Sequence, residues 1–248
     1  MSSLFTYTLR IADSSLILGQ RMSEWCSNGP TLEEDIAMSN ISLDMFGQAN
    51  GFYQYAAQLD GTKSADELAF RRNEREFFNH QLVEQENGNF GTTMVRNFLH
   101  DVFNFLFYTE LSKSKDETLS ALASKSLKEV KYHLRHSSNW LVRLGDGTEE
   151  SNTKVQDALE ELWMYTGELF EMDNLDAELL NSGIAVDNSA LKSEWDRMVN
   201  KTLVKAKLTR PEDAYMATGG KKGLHTEYLG FILSEMQFLQ RAYPDAKW

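Results

Sequence analysis

Two windows of the sequence combine residue types and spacing that come close to a metal-binding motif. The window LDMFGQANG places Gln48 three residues after Met45, and the window KEVKYHLRH places His133 three residues after Val130. Residues i and i+3 share one face of a helix. Glutamate at the two apolar positions and histidine at Gln48 would turn both windows into Glu-x-x-His. Two such motifs on separate helices, with one acid from each of two others, bind a metal pair in carboxylate-rich helical bundles.

The other donors that such a metal pair needs are scarce. Hard oxygen ligands must balance the charge of two cations, and two histidines complete the set. Neither a thioether nor an isopropyl group can bridge iron, so the good donors that remain are Glu24, Asp101 and His133. We therefore predict a scaffold whose ligand set is broken, with no catalytic residue and no metal site in this chain.

Asp101 and His133 fall within apolar stripes, so we expect both side chains to be buried. An unpaired buried charge would cost several kcal/mol. We predict that these two residues pair with each other, or with Gln48 or Glu24, in a polar cluster. Two alternatives stay open, because Gln48 also fits a satisfied core amide and Glu24, near a helix end, also fits an exposed position.

The elements that must position these residues are helices. Prolines occur only at positions 30, 211 and 244, so nothing from residue 31 to 210 forbids continuous helix. Periodicity predicts four long helices, a crossover with a short helix at 65–79, and three further helices; the seven are 6–26, 31–59, 90–112, 114–144, 152–171, 189–208 and 224–242. The predicted fold is all-α, a ferritin-like four-helix bundle with additional C-terminal helices, in a single domain over residues 1–248.

The second predicted helix has apolar residues on two faces, so we expect neighbours to surround it. Thr31 with Glu34 has the form of a capping box at its start, and Ser114 with Glu117 has the same form before the fourth helix. The two stripes are Leu32, Ile36, Leu43, Phe46 and Tyr53 on one side, and Met38, Ile41, Met45, Phe52, Tyr55 and Leu59 on the other.

Charge and composition exclude several classes of partner. The net charge of −12 argues against nucleic-acid binding, which needs a basic surface, and against docking on an anionic membrane. Arg10 and Asp13 precede any usable apolar stretch, so we expect no signal peptide, and no apolar run reaches the ~20 residues of a membrane span. The lone cysteine, Cys26, fits a reducing compartment. We therefore expect a cytoplasmic protein.

One loop has a composition suited to binding anions. The segment Gly219-Gly220-Lys221-Lys222 is flexible, basic and rich in backbone N–H groups. It could receive the phosphates of a nucleotide-like ligand or an acidic surface of a partner. The alternative is a solvated loop before the last helix. No P-loop, dinucleotide-binding motif or Cys-x-x-Cys motif accompanies it.

Several stretches resemble one family closely: YTLRIADSSLILGQRMSEWC, NISLDMFGQANGFYQYAAQL, VEQENGNF, LKEVKYHLRHSSNWLVRLGDGTEES and GGKKGLHTEYLG. The chain resembles, along essentially its whole length, the structural, non-catalytic subunits of bacterial phenylacetyl-CoA epoxidases. The resemblance implies a stable complex with a related catalytic bundle that holds an intact di-iron site. With electrons from a separate NADPH-dependent reductase, that assembly inserts one oxygen atom of O2 into the ring of phenylacetyl-CoA during aerobic phenylacetate breakdown.

The resemblance also implies which positions are vestigial. The ligand positions of the catalytic bundle would fall on Glu24, Met45, Gln48, Asp101, Val130 and His133, and three of these six no longer carry a ligand. It implies no cofactor in this chain, di-iron in the partner, and contacts with smaller subunits and the reductase. Two other functions remain open: a divergent metal-binding oxidase acting on its own through Glu24, Asp101 and His133, and a stand-alone ligand-binding bundle.

Overall fold

The computed structural model describes residues 2–244 and residue 246. Eleven α-helices follow one another in this part of the chain: α1 Ser3–Ser23, α2 Leu32–Asp60, α3 Ala65–Phe70, α4 Gln81–Glu84, α5 Phe90–Leu111, α6 Glu117–Gly145, α7 Glu149–Trp163, α8 Asn174–Asn181, α9 Asn188–Lys205, α10 Glu227–Met236 and α11 Phe238–Ala242. The described residues contain no β-strand, so the prediction of an all-α protein is confirmed. None of the helices in the described ranges is both long and apolar enough to cross a membrane.

The helices divide into two compact units. The first unit comprises Met1–Gln85 and Gly219–Trp248, and it contains α1 to α4, α10 and α11. The second unit comprises Glu86–Thr218 and contains α5 to α9. The single domain over residues 1–248 therefore stays a prediction, and each unit is described by itself.

An antiparallel pair, α1 and α2, forms the framework of the first unit. The Ser42 hydroxyl on α2 donates to the Gly19 carbonyl oxygen on α1 over 2.8 Å. Farther along α2, the Tyr53 hydroxyl donates to Asp13 over 2.6 Å, so residue numbers run in opposite directions on the two helices. A Cβ at Gly19 would lie 3.0 Å from the ring of Phe46, which shows how closely the helices approach. In the same unit α3 packs on α2, while α4 and α10 pack on α1.

A buried ion pair fastens the segment after α3 to this helix pair. Arg72 is 4% exposed and Asp13 is fully buried, and the guanidinium forms a short bidentate contact with the carboxylate. The Phe78 amide donates to the second carboxylate oxygen over 2.8 Å. Arg72 also donates to the Glu76 carbonyl oxygen over 2.6 Å. Because both charges have several partners, the desolvation penalty of burying them is offset by directed hydrogen bonds.

The second unit is built on another antiparallel pair, α5 and α6, on which α7 and α9 pack. The ring of Phe90 at the start of α5 contacts that of Trp140 near the end of α6, with centroids 5.0 Å apart. Trp195 on α9 is 1% exposed, and its indole N–H donates to the Leu99 carbonyl oxygen on α5 over 3.0 Å. This indole is a large apolar group whose polar atom is satisfied, as a buried tryptophan requires.

Side-chain caps explain where the long helices begin and end. Thr31 caps α2 as predicted, since its hydroxyl accepts from the Glu34 amide over 3.4 Å. Gly61 ends α2 with a φ of 71°, a conformation that favours glycine. The start predicted for α6 is wrong by a few residues. Asp116 is the N-cap, accepting from the Leu119 amide over 2.9 Å, whereas the Ser114 hydroxyl donates to the Ile184 carbonyl oxygen.

The C-terminal elements depart further from the predicted boundaries. The predicted helix 152–171 is α7, which ends at Trp163, followed by the 3₁₀ helix Gly167–Phe170. The predicted helix 224–242 is interrupted at Gln237, whose side-chain amide donates to the Arg72 carbonyl oxygen over 3.0 Å. That bond joins residues far apart in sequence, so local periodicity carried no sign of the interruption.

One face of α2 differs from the prediction that neighbours surround this helix. The stripe containing Met45 and Phe52 is buried, with these side chains 3% and 0% exposed. In contrast, Leu32, Ile36 and Leu43 of the other stripe are 72%, 54% and 65% exposed. Tyr53 of the same stripe is 2% exposed and Phe46 is partly buried, so the described residues cover one apolar face of α2 and only the later part of the other. The expectation of a surrounded helix is therefore wrong for the part of α2 from Leu32 to Leu43 in the chain taken alone.

Candidate functional site

The predicted polar residues of the second unit meet between α5 and α6. Asp101 on α5 and His133 on α6 are both buried, each 2% exposed. Ser137, one turn beyond His133, donates its hydroxyl proton to an Asp101 carboxylate oxygen over 2.7 Å. The same hydroxyl lies 3.1 Å from the His133 carbonyl oxygen, so it is held between the two helices. Val130, one turn before His133, is 1% exposed and adds only apolar surface to this cluster.

Burial decides the electrostatics of Asp101. Desolvation raises the pKa of its carboxyl to about 6, against the opposing influence of His133 and of the Ser137 hydrogen bond. Within the described residues, the second carboxylate oxygen has no hydrogen-bond partner. The charge of His133 influences Asp101, while the hydrogen bond identified for the carboxylate comes from Ser137, so the predicted pairing of Asp101 with His133 stays a prediction. The predicted pairing with Gln48 or Glu24 stays a prediction.

The other three positions that the resemblance implied as ligand positions and that have not yet been described belong to the first unit. Met45 and Gln48 lie on the buried face of α2, with exposures of 3% and 6%. Glu24 directly follows α1, and its side chain is 39% exposed. Its carboxylate forms an ion pair with Arg21 over 2.9 Å. Of the two positions left open for Glu24, the exposed one is observed, so this acid is not an interior donor.

These residues do not fit a di-iron centre. Such a centre needs carboxylates from all four helices of a bundle and two histidines. The buried positions instead carry the thioether of Met45, the amide of Gln48 and the isopropyl group of Val130. Among the described residues, no group of three or more histidine, cysteine, aspartate or glutamate side chains is arranged to hold a metal ion. No reaction step at such a centre is therefore assigned to this chain.

Residues 219–223, here called the Gly-Lys loop, have a backbone that is constrained by its turn geometry and by a close neighbour. Gly219 and Gly223 have φ values of 115° and 75°, and a Cβ at Gly223 would lie 2.3 Å from the Arg75 carbonyl oxygen. The amide of Lys222 donates back to the Gly219 carbonyl oxygen over 2.8 Å, so the loop's N–H groups are partly used within its own turn. Lys221 is 7% exposed, which leaves Lys222 as the solvent-facing cation of the loop.

A buried network holds the segment that follows this loop. The Glu84 carboxylate lies 2.9 Å from a ring nitrogen of His225, and it accepts from Asn79 over 2.9 Å and from both the amide and the hydroxyl of Thr226. The other ring nitrogen of His225 lies 2.9 Å from the Phe77 carbonyl oxygen, which can only accept. That nitrogen therefore donates, and the side chains of His225 and Glu84 form a fully buried pair.

Sequence reasoning missed two kinds of residue in these clusters. Ser137 follows His133 at i+4 on the same helix face, so the spacing could have placed it beside the histidine. The pairs of Asp13 with Arg72 and of Glu84 with His225 join residues 59 and 141 positions apart. No local pattern marks such pairs, because they depend on how the helices pack.

The antiparallel helix pairs and the remnants of two Glu-x-x-His windows place this chain in the class of ferritin-like helical proteins. The family described as phenylacetic acid catabolic protein matches residues 1–248. One subunit of the 1,2-phenylacetyl-CoA epoxidase of Escherichia coli strain K12 is 48% identical over 248 residues, which covers all of both chains. The chain therefore belongs to the phenylacetic acid catabolic protein family. This result confirms the resemblance that the sequence motifs indicated.

Proposed function

We propose that this chain is a structural, non-catalytic subunit of the multicomponent di-iron monooxygenase that epoxidises the aromatic ring of phenylacetyl-CoA. The observation that carries the proposal is the chemistry of Met45, Gln48 and Val130. These three side chains are buried, and the resemblance assigns them to positions where a di-iron centre would need ligands. The name of the 48% identical relative, a subunit of 1,2-phenylacetyl-CoA epoxidase, supports the reaction.

In this proposal the chain acts by binding and positioning its partner. Iron resides in the catalytic subunit, where it activates O2, and a reductase supplies the electrons. The present chain stabilises the catalytic bundle and helps to shape its substrate site. The buried pairs of Asp13 with Arg72 and of Glu84 with His225 support this role, since they hold distant segments of the first unit together. Smaller subunits complete the assembly, and the lone Cys26 is consistent with a cytoplasmic location.

Co-expression with the catalytic subunit tests the proposal. We expect the two chains to co-purify as a stable complex and the epoxidation of phenylacetyl-CoA, with reductase present, to be lost or greatly reduced when this chain is omitted. A catalytic subunit that is equally stable and active without this chain would contradict the proposal. The second candidate, a divergent oxidase acting alone, lacks the interior donor that it required, because Glu24 is exposed and paired with Arg21.

The proposal also gives a role to Lys222, the exposed lysine of the Gly-Lys loop. We propose that Lys222 contacts an anionic group, either the phosphates of the coenzyme A part of the substrate or an acidic surface of the partner. A Lys222→Ala variant should raise KM for phenylacetyl-CoA in the first case and weaken assembly in the second. Lys201→Ala, another exposed lysine, is the matched control. Unchanged KM and assembly would exclude a functional role for the loop.

A further inference from the structure

The exposed face of α2 carries no charge along most of its length. After the first turn, the exposed residues of this helix are all apolar, small or amide-bearing: Ile36, Asn40, Leu43, Gly47, Asn50, Gln54 and Gln58. Charged residues make up 25% of the whole chain, so their absence from a solvent-facing helix surface is unusual. The equally long α6 shows the ordinary pattern, because its exposed residues include Lys125, Lys128, Lys131, Arg135 and Arg143.

The spacing of this uncharged face suits contact with another helix. From Ile36 to Gln54 the exposed residues are separated alternately by four and three positions. That alternation is the heptad pattern with which one helix packs lengthwise against a second. A face that contacts only water needs no such seam and normally carries charged side chains. We call the residues from Ile36 to Gln54 in this list the α2 seam.

Gly47 lies in the middle of the α2 seam and has no function within the chain itself. A glycine inside a helix lowers stability relative to alanine. Outside the backbone of α2 itself, no atom of the described residues lies within 4 Å of the place where a Cβ of Gly47 would stand, so packing within this part of the chain does not require glycine there. A missing side chain at an exposed seam position lets the backbone of a second helix approach closely.

An apolar groove adjoins the seam. It has a volume of about 320 Å³, and Asn50 of the seam forms part of its rim. Its apolar walls come from α1, α2, α3 and α10 of the first unit: Leu16, Phe46, Ala49, Ala69, Phe70 and Met236. A pocket of this kind beside a flat helix contact is where an apolar side chain of a partner can insert and anchor a complex.

The charges beside the α2 seam indicate whether it binds a second copy of this chain or a different polypeptide. A parallel copy would place the acids of its first turn, Glu33, Glu34 and Asp35, against the same acids of its partner. An antiparallel copy centred on the seam would bring the two Asp44 side chains together. Like charges that face each other across an interface oppose association, and each copy has a net charge of −12. A different polypeptide with basic residues flanking an uncharged helix face avoids this repulsion.

We propose that the α2 seam and its groove dock a helix of the catalytic subunit, with an apolar side chain of that helix inserted into the groove. This inference rests on the proposed function and deepens it by identifying the face that binds the partner. The partner helix has an uncharged surface of heptad spacing, flanked by lysine or arginine on the side that meets Asp44 and the first turn of α2.

Two substitutions in the seam test the inference. Gly47→Arg adds a bulky charge where the chain itself has open space, and Leu43→Glu places a charge at a residue that is 65% exposed. Neither change alters packing within the chain, so each purified variant should keep the circular dichroism spectrum and melting temperature of the wild type. Both should weaken binding to the catalytic subunit by about 30-fold or more, measured by titration calorimetry. Val204→Arg on α9, at a residue 77% exposed, is the matched control and should bind normally.

The other outcomes separate this inference from the proposed function. If wild-type chains bind the catalytic subunit and both seam variants bind equally well, the inference is overturned while the proposed function stands. If wild-type chains do not bind it at all, both are overturned. Sedimentation of the isolated chain tests whether a second copy occupies the seam. If the wild type is a homodimer, Gly47→Arg dissociates it, and binding to the catalytic subunit is unchanged, the seam belongs to a second copy. That result would overturn the inference.

Discussion

Asp101 is a buried acid with one identified hydrogen bond and a raised pKa. A carboxyl group between two helices can be stabilised by cations, by hydrogen bonds or by keeping its proton. Here Ser137 donates one hydrogen bond, and burial raises the pKa of the carboxyl to about 6. In this chain the residue is therefore a desolvated core acid that is protonated more readily than an exposed one.

The raised pKa of Asp101 predicts a specific pH dependence of stability. The native carboxyl holds its proton up to about pH 6, whereas the unfolded one releases it near its ordinary pKa of 3.8. Stability from this group is thus present at low pH and is lost as pH rises through this interval, by about 3 kcal/mol in all. Asp101→Asn removes the titration. In urea unfolding, its free energy of unfolding relative to wild type should rise by about that amount between pH 4 and pH 7.

A second variant checks the cause of that pH dependence. Ser137→Ala removes a hydrogen bond that lowers the pKa of Asp101, so carbon-13 NMR of the carboxyl should show a still higher pKa. An unshifted carboxyl in Ser137→Ala, or a pH-independent difference for Asp101→Asn, would contradict the account of this cluster.

The ion pair of Asp13 and Arg72 gives a second prediction about stability. Here, unlike at Asp101, the buried charged groups neutralise each other. Arg72→Met leaves the carboxylate buried without its cation and should destabilise the protein by roughly 3–5 kcal/mol. Adding Asp13→Asn removes the stranded charge while keeping an acceptor for the Tyr53 hydroxyl, so the double variant should recover part of the loss. Urea unfolding of the four proteins in a double-mutant cycle measures the coupling. Losses that simply add would show that the pair is not coupled.

At the scale of elements, the sequence predicted most of what local chemistry determines. Thr31 and Gly61 bound α2 because capping and left-handed backbone are encoded by single residue types. The start of α6 was misplaced because Asp116 caps it in place of Ser114. The exposed stripe of α2 could not be predicted, because an apolar face looks the same whether its own chain or a partner covers it.

Two glycines in long helices give opposite predictions. At Gly47 a Cβ meets open space, so Gly47→Ala should stabilise the isolated chain by about 1 kcal/mol through helix propensity. At Gly145, at the end of α6, a Cβ would lie 2.2 Å from the Ala206 carbonyl oxygen, so Gly145→Ala should destabilise it despite the same propensity gain. Urea unfolding of both variants decides the matter. Equal effects of the two substitutions would contradict the packing described at these helices.

At the scale of the whole molecule, the motifs indicated the family, and the family match over residues 1–248 confirms it. The placement of Met45, Gln48 and Val130 in windows with Glu-x-x-His spacing could be read from the sequence, since residues i and i+3 share a helix face. The exposed position of Glu24 was left open by the sequence, because it depends on where α1 ends. The buried pairs of Asp13 with Arg72 and of Glu84 with His225 could not be predicted, because they depend on contacts between segments that are distant along the chain.

The iron content of the isolated chain tests the central claim most directly. The protein should be expressed in iron-rich medium without the catalytic subunit, reconstituted with ferrous iron under anaerobic conditions, desalted and analysed by mass spectrometry of the metal. We predict far less than one iron ion per chain and no oxygen consumption with phenylacetyl-CoA and reductase. Near-stoichiometric iron pairs, with oxygen consumed by this chain unaided, would contradict the account.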